Sequence, residues 1–234
     1  MSRGVRSDFT QRCRSAGPPA RVTESRAPFK PQYDPRMRHL LAAFAGAVVV
    51  FFWGFLGYAA LGIWDFAYPT TPADTAIVEA LDAGLDADGA YFLPSMPDTY
   101  MTDTTDPAAV AANKSFEERL AKGPIALVLF RKDGMAPMAA AELVRGFAIE
   151  FVAALLLACL LSAAKGGVPG RVFFGFTVAL FTALASWGVA GNFFHLPLAY
   201  MYANMADVVI GWTMASVAIA LVLGRGRAAV RSAA

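Results

Sequence analysis

"VRGFAIEFVAALLLACLL" (144–161) carries a charge at two positions only, Arg145 near its start and Glu150 inside it. From position 146 the apolar run continues to 164, and 19 residues of α-helix rise about 28 Å, close to the ~30 Å of a bilayer's hydrocarbon core. Three more blocks, at 39–63, 172–190 and 205–224, have similar length and composition, and none of the four contains proline. In lipid every backbone N–H and C=O must bond within the segment, so each block is expected to be a membrane-spanning helix. Their sum explains a 234-residue chain that is 57% hydrophobic and only 16% charged, with mean hydropathy +0.48. A soluble domain is nearer ~25% charged.

Between the first two blocks lies a different region. Residues 64–145 hold six Lys/Arg against thirteen Asp/Glu, a net −7, and the remainder of the chain fourteen against five, a net +9. This sorting is about sides of a membrane rather than nucleic acid. Arg36 and Arg38 precede the first block, Lys165 and Arg171 bracket "KGGVPGR" between the second and third, and Arg225, Arg227 and Arg231 follow the fourth. The connection between the third and fourth, "GNFFHLPLAYMYAN", has no Lys or Arg. Positive residues collect on the cytoplasmic side, which places both termini inside and 64–145 outside, in a bacterium the periplasm. The first block is too long for a signal-peptide core and is read as a retained anchor.

Residues 1–36 are polar and rich in Arg, Pro and Ser, without periodicity. They are expected to be a disordered basic tail, and Met37, followed by "RHLLAAFAGAVVV", is an alternative start. Cys13 and Cys159 lie in that tail and mid-membrane, which excludes a disulfide framework.

The outer segment reads as α-β-α-β. "ADTAIVEALDAG" (73–84) has Ile77, Val78 and Leu81 at helical spacing, and "GAYFLP" (89–94) is a short strand. In 106–123 Asp106 is a cap, Pro107 the first helical residue and Gly123 the stop; "PIALVLFRK" (124–132) is the second strand. Two strands alone are marginal, so they are expected to pair and lean on the helices. The segment is too small for an ordinary enzyme site but large enough for a lid or docking surface. The sequon "NKS" at Asn113 is read as chance.

Small residues at every fourth position mark helix seams. Glu150 falls in the register Gly146, Ala154, Ala158, Ser162, and Asp207 in the register Gly211, Ala215. Glu150 lies four residues into its block, roughly 6 Å deep. Asp207, Tyr58 and Trp187 lie near the outer ends of their blocks, His195 in the outer connection, and Arg145 one turn before Glu150. Together these six form the candidate outer-leaflet polar site. Intramembrane acids are functional candidates by default. Against that, a helix start favours an acid, and Tyr and Trp at span ends form the ordinary aromatic belt. No catalytic motif, phosphate loop or metal-ligand spacing is present. The outer methionines with His195 are too loosely spaced for copper, and no histidine pair suits haem, so no cofactor is expected.

"VFFWGFLGY" (50–58), "GAYFLP" (89–94), "KGPIALVLFRKDGMAPM" (122–138) and "ADVVIGW" (206–212), in that order, resemble a group of small bacterial inner-membrane proteins with four helices and an insert after the first. The resemblance implies the topology and the Met37 start and transfers no activity. The expected fold is therefore an all-α transmembrane four-helix bundle with a small external α/β insert between helices one and two. The expected role is non-enzymatic: binding a partner, lipid or small ligand at the outer face, with the bilayer and either a protein partner or a second copy as neighbours and no nucleic acid. Transport or proton coupling through Glu150 and Asp207, and an outer-leaflet enzyme, are the alternatives.

Overall fold

The computed structural model describes residues 34–231 except Ile63, Asp103 and Met138. The tail reading therefore lies outside the described residues up to position 33. Helix α1 runs Pro35–Ala59 and begins two residues ahead of Met37. Asp34 caps it by accepting the backbone N–H of Arg36 at 2.8 Å, satisfying one of the orphan donors of a helix start.

The insert follows. Helix α2 (Asp74–Gly84), strand β1 (Gly89–Leu93), helix α3 (Pro107–Lys122) and strand β2 (Ala126–Phe130) occur in the order the turn and cap residues predict. The strands pair antiparallel, from Gly89 opposite Phe130 to Leu93 opposite Ala126. Asp106 accepts from the N–H groups of Ala108 and Ala109, both at 3.3 Å, and Gly123 ends α3 at φ 69°, where a residue with a Cβ is strained. Phe116, buried, packs edge-on against Tyr100 with ring centres 4.8 Å apart. Asn113 earns its place structurally: its side chain both accepts from the Thr99 hydroxyl and donates to the Thr99 carbonyl.

Then come α4 (Ala140–Ala163), α5 (Gly167–Ala183), a π-helical turn at Leu184–Gly188, α6 (Val189–Phe193) and α7 (Leu198–Arg231). Four stretches are long and apolar enough to cross a membrane: Arg36–Ala59, Ala140–Ala163, Gly167–Phe193 and Leu198–Gly224. No more than 33% of any of their central windows is buried within the chain. Their outward faces leave large apolar side chains exposed, Phe52, Phe173, Phe181 and Leu156 among them, as a lipid-facing surface would. Two boundaries differ from expectation. Helix α7 starts at Leu198 rather than 205, because Leu198, Ala199, Met201 and Ala203 continue as helix directly after Pro197, which provides the start. The third span starts at Gly167, just past the left-handed Gly166.

The core sits toward the end of the bundle holding the start of α1 and the 164–166 turn. Ala42, Ala43 and Ala47 of α1, Ala154, Leu157, Ala158 and Leu161 of α4, and Ile219 and Leu223 of α7 form one buried cluster. Small residues let the backbones approach closely. A Cβ on Gly46 would come within 2.7 Å of the Ile219 Cδ1, and one on Gly175 would collide with the Ser216 hydroxyl. Ser216 turns that hydroxyl back to the Trp212 carbonyl at 2.7 Å, so its polarity is satisfied within the helix.

Candidate functional site

At the other end of the bundle α1 turns its small-residue register outward, although Trp53 still reaches α7 over Gly211 and α7 still packs against Gly191 through Met201. Helix geometry accounts for the turn of that register. At 100° per residue, each four-residue step drifts about 40° around the helix. In α1 the register that buries Ala42 and Gly46 thus rotates out by Gly54 and Tyr58, both exposed. A Cβ on Gly54 would meet nothing within 4 Å.

Beside this stretch of α1 lies an open, cleft-like cavity of about 880 Å³ lined by Gly54, Tyr58, Trp64, Asp65, Tyr68 and Asp207. The connection after α1 supplies three of these. Gly62, at φ 59°, turns the chain, and a tight turn follows in which Trp64 accepts the N–H groups of Ala67 and Tyr68. A Cβ on Gly62 would sit 2.8 Å from the Asp65 carboxylate, so glycine also leaves room for that side chain.

Asp207 is fixed from α1: the Trp53 indole N–H donates to its Oδ1 at 2.9 Å. The same indole covers Gly211, one turn along α7, where a Cβ would come within 2.8 Å of the ring. Only a residue without a side chain lets Trp53 lie flat enough to reach Asp207. Glu150 approaches from α4. Asp207 is the charge that acts on it, and its Oε2 is buried with no hydrogen-bond partner among the described residues.

An aromatic chain closes the rim. Tyr68 packs edge-on against Tyr200, 5.5 Å between ring centres, and Tyr200 against Trp187 at 5.8 Å. Trp64 lies 5.9 Å from Tyr68. Partial desolvation and a hydrogen bond with Tyr200, together with the electrostatic effect of Tyr200 and Tyr58, push the Tyr68 phenol above its ordinary value. Trp187 lies within the π-helical turn, a distortion that shifts the following side chains around the helix.

Of the six residues selected from sequence, Asp207 and Tyr58 line the cavity, Glu150 neighbours Asp207, and Trp187 joins the rim through Tyr200. Two sit elsewhere. Arg145 pairs with Glu142 at 3.3 Å, one turn earlier on its own helix, rather than with Glu150. His195 is exposed and adopts φ 52°, a left-handed turn residue between α6 and α7. Sequence reasoning missed Trp53, Trp64, Asp65 and Tyr68 as site residues. The aromatic-rich "WDFAY" (64–68) directly after an apolar block was the available signal. Among the described residues no three His, Cys, Asp or Glu side chains gather as metal ligands.

Comparison with protein-family models, with curated proteins and with solved structures gives no match.

Proposed function

We propose that this chain is a four-span integral membrane protein, with both termini cytoplasmic and the insert outside, that binds a small ligand or lipid in the cavity at the insert end of the bundle. The bacterial inner membrane is the setting this reading assumes. The carrying observation is the cavity itself: about 880 Å³, lined by acidic and aromatic side chains. Small-molecule sites span roughly 300–1,000 Å³, with few polar groups set among aromatic and apolar walls. Binding is favoured over catalysis because Asp207 is held by an indole rather than by a base or nucleophile.

The test uses Gly54→Trp, which fills the cavity from a position with open space around it. Native mass spectrometry of the purified full chain should find a co-purifying small molecule or lipid on the wild type that Gly54→Trp lacks. Equal occupancy in both proteins would contradict the reading.

A second reading is supported by Glu150, whose Oε2 lacks a hydrogen-bond partner beside Asp207. An unpartnered acid within reach of a second carboxylate suits proton-coupled transport. Glu150→Gln keeps shape and cannot titrate, so a pH-driven flux in vesicles should vanish while folding persists. Unchanged flux would remove Glu150 from any such role.

A further inference from the structure

We propose that the cavity ligand is an organic cation, a quaternary or protonated ammonium group held by Asp65 and Asp207 against the faces of Tyr58, Trp64 and Tyr68. This rests on the reading of the cavity as a binding site and names its ligand chemistry. The charge decides the sign. Asp65 and Asp207 line the cavity, and Glu150 lies within electrostatic reach of Asp207. The ion pairs among the described residues are Lys114 with Glu118, Lys132 with Asp82 and Arg145 with Glu142, and none reaches these three acids. A concave site with carboxylates and no paired cation attracts positive ligands and repels anions.

The walls decide the kind of cation. A compact metal ion requires several oxygen ligands converging on one point. Among the described residues no such His, Cys, Asp or Glu group exists. Three aromatic rings stand at the cavity instead. Tyr58 is 73% and Tyr68 56% exposed, so neither residue is sealed off from a ligand. The negative face of an aromatic ring attracts ammonium groups, and weakly hydrated quaternary ones give up little water to reach it. The Trp53 bond to Asp207 occupies one oxygen and holds the carboxylate in place, without placing a positive charge beside it.

The same ammonium chemistry occurs on a lipid headgroup and on a free amine. The full chain is therefore placed in nanodiscs of phosphatidylglycerol and titrated with choline, tetramethylammonium and 3,3-dimethylbutanol, the uncharged isostere of choline. Both cations should bind and the alcohol should bind at least about tenfold more weakly. Trp64→Leu and Asp207→Asn should each weaken choline about tenfold or more, with unchanged thermal stability, since Asn still accepts the Trp53 N–H. Nanodiscs containing phosphatidylcholine should compete with choline if the source is a headgroup and not if it is a free amine. Equal binding of the alcohol, or choline affinity unmoved by both substitutions, overturns the ammonium assignment. No ammonium binding, with a co-purifying molecule still lost in Gly54→Trp, overturns the assignment and leaves the cavity reading standing. No ammonium binding and no molecule lost overturns both.

Discussion

The two ends of the same bundle are built on different rules. Toward the start of α1, Ala42, Ala43, Ala47, Ala154 and Ala158 are fully buried and Leu161, Ile219 and Leu223 pack among them. Toward the insert, α1 presents Gly54 and Tyr58 to open space, a carboxylate is bonded across helices, and the third span carries a π-helical turn. Lipid is as apolar as leucine, so helices associate through close packing and satisfied polar groups rather than burial from water. One end supplies the close packing that holds the bundle. The other is thereby free to stay open, with polar groups that close packing would exclude.

The largest expected effect lies in the packed end. Leu161→Ala leaves a void among fully buried neighbours and should cost ~2–5 kcal/mol, whereas Leu156→Ala, on an exposed face, should cost under ~1 kcal/mol. Thermal unfolding in detergent separates them, and equal losses would erase the contrast. Next, Gly175→Leu forces a side chain into Ser216 and should cost at least ~1–3 kcal/mol, while Gly54→Leu should change stability by less than ~0.5 kcal/mol. A matching loss at Gly54 would mean that the open end is closed in the folded protein.

Asp207→Leu removes the acceptor of the Trp53 N–H. Membrane hydrogen bonds average about 0.6 kcal/mol, so a loss near ~1 kcal/mol is expected, with Asp207→Asn close to wild type. A Leu variant as stable as wild type would break the link between the acid and the indole. The smallest effect belongs to Arg145→Ala. Its partner Glu142 is exposed, and such pairs contribute ~0–1 kcal/mol. A larger loss would show that Arg145 serves Glu150 after all.

How much of this was legible in the sequence follows the range of the forces involved. The four long apolar helices were readable because each is a proline-free apolar run of about the length a bilayer would require. The Asp106–Pro107 start and the Gly123 stop of α3 were readable because caps act within four residues. The start of α7 was missed because the polar and aromatic residues of 198–204 obscure a helix that Pro197 begins. Of the seam residues, Ala154, Ala158 and Ala215 are buried and Gly211 lies under Trp53, whereas Gly146 has open space around it. The bond between Trp53 and Asp207 spans 154 positions, and no local pattern announces it. Arg145 was drawn to Glu150 by proximity in sequence, while Glu142, one turn the other way, took it.

The proposal that the cavity is open and faces outward is tested most directly by thiol labelling in intact cells. Gly54→Cys and Ala158→Cys are made separately in a chain whose Cys13 and Cys159 are replaced by serine. A membrane-impermeant maleimide, which needs water to react with a thiolate, is then added from outside. Gly54→Cys should label rapidly without permeabilisation, and more slowly after Trp64 and Tyr68 are covered by added tetramethylammonium, while Ala158→Cys should stay unlabelled. Labelling of Gly54→Cys only after the cells are opened, or none at all, would contradict a water-filled cavity facing outward.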